Sequence, residues 1–238
     1  MKAVILAGGF GKRLRPYTDD KPKPLVELGG KAIIEWQIMW LKRFGITSIV
    51  ILAGYKKEKL IEYLGGGKRF GVNIVYSIEE EPLGTAGAVK NAGHILTGED
   101  FLLFNGDIIS NVDLTRIRLN GETVNIALVP LKSPFGIVYV NENNDVIRFD
   151  EKPYLKEYWI NAGIYLMSSQ ILDILPDKGD LEKVTFPELA KEGKIKGTKF
   201  DAYWRSVDTI KDMEEVSEDL LNGRVFPWAI EEENKAQA

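Results

Sequence analysis

The sequence has no cysteine and one histidine among its 238 residues. The first absence excludes a disulfide framework and a zinc–thiolate site, and the second removes most histidine-based catalysis and metal ligation. Chemistry must therefore come from carboxylates, lysine, arginine and backbone amides. No apolar run approaches the roughly 18–20 residues that span a bilayer, so neither a membrane protein nor a membrane partner is expected. The opening MKAVILAGG reaches its glycines too soon for a signal-peptide core. It reads as a buried first strand, and a cytoplasmic location is expected. Neither sign of charge dominates: 35 acidic and 31 basic residues leave a net charge of −4, so nucleic acid is not an expected partner. Glutamine is scarce while Lys and Glu abound, a bias of heat-adapted proteins that ordinary sampling also produces. With 45% hydrophobic and 28% charged residues the composition is globular.

Short β-rich runs at 2–7, 46–53, 72–78 and 101–104 look like strands buried on both faces, and helical patterns at 32–44, 56–64 and 85–96 separate them. This order predicts a parallel sheet with right-handed crossovers, whose ligands bind beyond the carboxyl ends of the strands. The loops after the first, third and fourth strands are the places to search. From about residue 123 strands follow one another through tight turns, and helical patterns return at 169–175 and 209–221. No linker or internal repeat divides the chain. The expected fold is one α/β domain over 1–223: a Rossmann-like, mostly parallel central sheet flanked by helices, with an antiparallel extension across one end. A tail at 224–238 is expected to fray beyond Phe226 and Trp228, which are candidates to dock on the body or a partner subunit.

The strongest motif is LAGGFGKRLRP at 6–16, directly after the first strand. Its glycines allow close backbone approach, and consecutive amides form an anion nest that Lys12, Arg13 and Arg15 reinforce, which suits a triphosphate. Leu14 occupies the third glycine position of a dinucleotide fingerprint, and Arg13 stands where a P-loop needs Ser or Thr, so neither motif fits. A plain strand-to-loop turn is the alternative. Downstream, Lys23 lies between Pro22 and Pro24, which predicts an extended, pre-positioned lysine rather than one on a helix face. Asp107, in an Asn-Gly-Asp turn after the fourth strand, is either a turn cap or the best ligand for a hard divalent ion, Mg²⁺.

Leu6-Ala7-Gly8-Gly9, Gly11, Arg13-Leu14, Pro16, Thr18 and Pro22-Lys23-Pro24 together resemble the signature of the sugar-1-phosphate nucleotidyltransferases. The resemblance continues through EEEPLGTAGA (79–88), FNGD (104–107), FG (135–136), EKP (151–153), INAGIY (160–165) and the region of Trp204. It implies a Mg²⁺-dependent reaction of a nucleoside triphosphate with a sugar-1-phosphate, giving a nucleotide-sugar and pyrophosphate. By resemblance Leu6, Ala7, Gly8, Gly9, Gly11, Lys12 and Arg13 cradle the triphosphate, with Pro82, Gly84 and Thr85 also at the nucleotide. Arg13 stabilises the leaving pyrophosphate and Lys23 clamps the sugar phosphate. Gly136, Glu151, Lys152 and Asn161 meet the sugar phosphate. Residues 1–122 form the nucleotide half and 123–208 the sugar half.

Two positions depart from the pattern. Lys12 replaces the usual Thr. The usual second metal-binding Asp is Ser206, while Asp208 stands where Gly is common, as in some cytidylyl-transferring relatives. Asp208 is thus a candidate second metal ligand or a helix N-cap. Glu79 occupies a position that is usually Gln in uridylyl- and thymidylyl-transferring relatives. A carboxylate matches the adjacent N1–H and N2 amino donors of guanine, whereas it would repel the acceptors flanking the imide of uracil. Glu79 therefore points to GTP, with mannose-1-phosphate the expected acceptor, unless Glu79, Glu80 and Glu81 are only a solvated acidic turn. Transfer of another nucleotide and a silent nucleotide-sugar sensor remain the rival readings, and a homo-oligomer remains open. His94 reads as a surface residue, and Trp36 and Trp40 as core or subunit packing.

Overall fold

The computed structural model describes residues 1–229. In chain order they form β1 (Lys2–Ala7), β2 (Glu27–Leu28), β3 (Lys31–Ala32), α1 (Ile33–Arg43), β4 (Ser48–Ala53), α2 (Lys57–Leu64), β5 (Asn73–Ile78), α3 (Gly84–Asn91), α4 (Gly93–Leu96), β6 (Phe101–Asn105) and β7 (Ile108–Ser110). There follow β8 (Val124–Lys132), β9 (Ile137–Val140), β10 (Val146–Asp150), β11 (Tyr154–Met167), α5 (Phe186–Lys191), β12 (Ile195–Lys199), β13 (Trp204–Ser206) and α6 (Ile210–Leu221).

Seven strands make one sheet in the order β12-β8-β11-β6-β1-β4-β5. β1 pairs in parallel with β4 and β6, and β4 with β5, whereas β11 runs antiparallel to both β6 and β8. Alternate side chains of β1 enter opposite layers, as a period of two demands: Ala3 and Ile5 pack with α1, and Val4 packs with α3 and α4.

Several elements differ from the sequence reading. The later strands do not stand off as one extension: β8 and β11 join the central sheet, and only the β9–β10 hairpin lies outside it. β5 is an edge strand with Val75 48% exposed, so it is covered on only part of its surface. The helix expected over 85–96 breaks at Ala92, and the turn at Ser169–Asp173 is a short 3-10 helix. β12 has a polar sequence because it is the opposite edge of the sheet. Phe226 docks on the body, its ring stacked on Trp36 at 5.8 Å, and Trp228 packs on Phe226 at 5.3 Å. Burying one such ring contributes about 2 kcal/mol. The fraying expected beyond it concerns residues 230–238, which lie outside the described segment. Trp36 and Trp40 are both buried in the core, and His94 is exposed.

The carboxyl ends of β1 and β6 meet at Gly106. Its N–H donates to the Leu6 carbonyl at 3.0 Å, and a Cβ at Gly106 would lie 2.2 Å from that oxygen. Only glycine fits without shifting backbone. Gly106→Ala is expected to lower stability by about 2 kcal/mol, the cost of overpacking rigid surroundings, measured by urea unfolding.

Candidate functional site

The loop after β1 is fixed by contacts of its carbonyls and of Leu14. Gly11 adopts φ 61°, and a Cβ there would approach Thr18 Cγ2 at 3.0 Å. The buried Thr18 hydroxyl donates to the Gly11 carbonyl at 2.9 Å, while Leu14, 1% exposed, anchors the 3-10 turn Lys12–Leu14. Arg13 is thereby held on an exposed arc. Lys23 opens the 3-10 turn Lys23–Leu25 and is not extended; Pro24 is accommodated because a first helical turn has no N–H partner to lose.

Lys23 joins two carboxylates that are distant in sequence. Its Nζ lies 2.7 Å from Asp107 Oδ2 and 2.8 Å from Asp208 Oδ1, and Arg13 reaches the same Asp208 oxygen at 2.8 Å. The backbone sets this convergence. β7 begins just after Asp107 and pairs with β13, which ends just before Asp208, and the Val207 N–H donates to the Asp107 carbonyl at 2.9 Å. From beneath, the Gln37 amide on α1 donates to the carbonyls of Asn105 (2.9 Å) and Ile108 (3.0 Å), gripping the turn on both sides of Asp107. Gln37 carries no motif; only its polarity within an otherwise apolar helix face signals it.

Asp208 is not the helix cap. Thr209 caps α6, accepting from the Asp212 N–H at 3.2 Å, while Asp212 Oδ2 accepts from the N–H groups of Asp208 (3.2 Å) and Thr209 (2.9 Å). This leaves the Asp208 side chain to the site, where Ser206 donates to its Oδ2 at 2.8 Å. Burial pushes the Asp208 carboxyl up, but hydrogen bonds from Lys23 and Ser206 and the charges of Lys23 and Arg13 outweigh it and hold the group below the usual carboxylate range.

Glu79 differs in setting from its two neighbours. A Cβ on Gly8 would fall 1.9 Å from Glu79 Oε1, and one on Gly54 would fall 2.5 Å from it, so two glycines make room for this carboxylate. Its Oε2 accepts the Leu83 N–H at 3.2 Å. Glu80 instead pairs with Lys57 at 3.0 Å, and Glu81 with Lys178 at 3.6 Å. The Cβ direction at Gly84 meets the Gly179 carbonyl at 2.4 Å, and Thr85 donates to Glu182 Oε2 at 3.0 Å. This close packing brings Asp180, which had no signal in the sequence, to the same cleft.

Except for Arg15, which turns away to pair with Asp19 at 3.2 Å, every residue expected at the nucleotide, the reacting centre or the metal lines one cleft of about 440 Å³. The sugar-side candidates are dispersed. Lys152, with φ 47°, lines a neighbouring cavity of about 640 Å³ that also holds Ser206 and shares Asp208 with the first cleft. Asn161 donates to the Tyr165 hydroxyl at 2.8 Å, which donates to Glu182 Oε1 at 3.3 Å, so both ends of the Glu182 carboxylate tie Asn161 to Thr85. Burial and the Glu182 charge push the Tyr165 hydroxyl up and keep it protonated. Gly136 lies on the outlying hairpin, where a Cβ would meet Phe149 Cζ at 2.5 Å and Glu151 Oε2 at 3.1 Å; the space beside its backbone is filled by this chain.

Asp212 supplies a pH test of the scaffold under Asp208. Burial pushes its carboxyl up, but hydrogen bonds from Thr209, Arg205 and two backbone N–H groups hold it below the usual range. A lowered folded value means that its stabilisation is complete above the unfolded value, about 4, and is lost as pH falls through the folded one. Asp212→Ala should cost about 1 kcal/mol at pH 7, the worth of a helix-capping interaction, and the gap should shrink in acid, as read by urea unfolding at each pH.

The nucleotidyl transferase family profile matches residues 2–223. The chain is 39% identical over 224 residues to the mannose-1-phosphate guanylyltransferase catalytic subunit beta of Dictyostelium discoideum, aligning 89% of this chain with 62% of that one. It is 36% identical over 218 residues to the D-glycero-alpha-D-manno-heptose 1-phosphate guanylyltransferase of Campylobacter jejuni, covering 89% of this chain and 96% of the relative. The crystal structure of HddC from Yersinia pseudotuberculosis complexed with GMP-PN superposes with a TM-score of 0.71 at 26% identity, over 92% of this chain and 99% of that one. With its glycine loop, its lysine and two converging carboxylates inside the matched span, this chain belongs to the nucleotidyl transferase family.

Proposed function

We propose that this protein transfers a guanylyl group from GTP to a sugar-1-phosphate, mannose-1-phosphate or a manno-configured relative, releasing pyrophosphate. The observation that carries this reading is the convergence of Lys23, Asp107, Asp208 and Arg13 beside the glycine loop, in a cleft that also holds Glu79. The names of the Dictyostelium and Campylobacter relatives support the choice of base and of sugar. So does the guanine nucleotide analogue in the HddC complex.

The substrates are polyanions, so catalysis consists of positioning them and balancing their charge. An oxygen of the sugar phosphate attacks the α-phosphorus of GTP, and the bond from that phosphorus to the pyrophosphate oxygen breaks. The backbone of residues 8–13, which lines the cleft, holds the triphosphate, and Arg13 meets the leaving pyrophosphate. Lys23 offsets the repulsion between the two reacting phosphates. Glu79 accepts from guanine N1–H and N2, a pairing for which Gly8 and Gly54 provide the room.

Asp107 and Asp208 fit a divalent ion: both aim hard oxygen donors at a point that already attracts a cation, the Lys23 ammonium. Among the described residues no third carboxylate or histidine joins them. That suits Mg²⁺, which is commonly held by one or two carboxylates together with substrate phosphates and water. When bound, the ion would supply charge neutralisation at the phosphate oxygens. Glu151, Lys152 and Asn161 are proposed to meet the sugar and its phosphate, and residues 1–223 to act as one catalytic unit in the cytoplasm.

The test is pyrophosphate release with Mg²⁺ across a matrix of triphosphates and sugar-1-phosphates. GTP with mannose-1-phosphate is expected to give the highest kcat/KM, and no turnover with any pair overturns the reading. Glu79→Gln should lower the preference for GTP over UTP by about 10-fold or more, the worth of one charged hydrogen bond. An unchanged triphosphate profile would remove Glu79 from base selection.

A further inference from the structure

Lys23 is at once the partner of both carboxylates and the group that the proposed reaction assigns to the phosphates, and one ammonium cannot serve both. Its Nζ lies 2.7 Å from Asp107 Oδ2 and 2.8 Å from Asp208 Oδ1, on a side chain that is 12% exposed. Among the described residues Arg13 is the other donor to that Asp208 oxygen, and it is the second phosphate-binding cation of the proposed reaction. Two positive and two negative side chains are thus in direct contact and in balance. The Lys23 backbone is pinned. Its carbonyl accepts the Val26 N–H at 3.0 Å, Pro24 and Leu25 beside it are buried, and a Cβ on Gly11 would stand 3.2 Å from the Lys23 Cβ. The head is not pinned in the same way: a lysine ammonium is a point charge on a flexible four-carbon stem. It can leave the carboxylates while the backbone stays in place.

We propose that Lys23 is an internal counter-ion that keeps a divalent ion off the Asp107–Asp208 pair until a phosphate draws the ammonium away. The inference rests on the proposed reading of these two carboxylates as the Mg²⁺ ligands. A bridging Mg²⁺ needs the same two oxygens at roughly 2.0–2.1 Å, and two cations at such close range repel. An ion arriving alone would add two positive charges to a balanced cluster and strand the ammonium beside it. A triphosphate arriving alone would pull Lys23 and Arg13 toward itself and uncover two carboxylates that repel it. Arriving together, the phosphate takes Lys23 and Arg13 while the ion takes Asp107 and Asp208, so every charge keeps an opposite partner. The metal site is then completed by substrate instead of being preformed. By linkage, ion and phosphate each raise the affinity for the other by the same factor.

The test measures the ion and not turnover. Mn²⁺, a paramagnetic substitute for Mg²⁺, is titrated into the full chain without either substrate, and the free ion is counted by electron paramagnetic resonance. Lys23→Met keeps most of the stem and removes the charge. It should bind Mn²⁺ more tightly than the wild type by about 10-fold or more, the scale of one charged contact, whereas Lys23→Arg should stay weak. Adding Asp208→Asn to Lys23→Met should abolish the gain, which places the ion at this pair. A second measurement needs no variant to fold: in the wild type, Mn²⁺ should speed reductive methylation of Lys23, read by peptide mass spectrometry, because the displaced ammonium loses its shelter. A folded Lys23→Met chain that binds Mn²⁺ no more tightly than the wild type overturns the proposal, as does Lys23 methylation that Mn²⁺ leaves unchanged. A wild type that releases pyrophosphate from no substrate pair overturns the proposed function instead, whatever its Mn²⁺ affinity.

Discussion

The ammonium of Lys23 lies within hydrogen-bonding reach of both Asp107 and Asp208, and the rest of the site is arranged around that contact. Two carboxylates facing each other in a partly buried cleft repel unless a cation stands between them. Lysine supplies that cation without help from a ligand and holds both carboxylates on one point. On the proposed function, the loop beside this positive charge and Arg13 meet phosphate, so that cations and anions would be held side by side in one cleft.

That arrangement makes severe demands on the backbone. Asp107 and Asp208 come from opposite halves of the chain and are brought together by the short pairing of β7 with β13. Gln37 fixes the turn that carries Asp107 from below, and the Thr209–Asp212 cap fixes the backbone of Asp208 from the side. Gly106 lets the β6 turn close onto the end of β1, and Gly8 and Gly54 leave the volume that Glu79 occupies. These are backbone and buried polar constraints, so a change at any of them should be felt at the centre before it is felt in the core.

Much of this was legible in the sequence because it rests on local patterns. The apolar runs of β1, β4 and β6 and the helical spacing of α1 specify the parallel sheet, and the glycine loop, Lys23, Asp107 and Asp208 carry local chemistry of their own. What sequence alone could not give depends on long-range closure. The join of β8 and β11 to the central sheet requires knowing which edge of β6 is free. Asp180 reaches the cleft only because a later loop packs on the N-terminus of α3. Gln37 reads as an ordinary helix residue until its two carbonyl partners are seen. At Lys23 the restriction before proline favours extended chain, but a first helical turn tolerates proline, and the 3-10 turn forms.

On the proposed function, the second carboxylate of the centre stands at position 208 rather than 206. Ser206 hydrogen-bonds to Asp208 instead of replacing it, so removing the Asp208 charge tests the arrangement most directly. In Mg²⁺-dependent pyrophosphate release from GTP and mannose-1-phosphate, Asp208→Asn should lower kcat by about 100-fold or more, as loss of charge stabilisation at a reacting centre does, with its unfolding midpoint close to that of the wild type. A variant that folds normally and turns over at the wild-type rate would contradict the account.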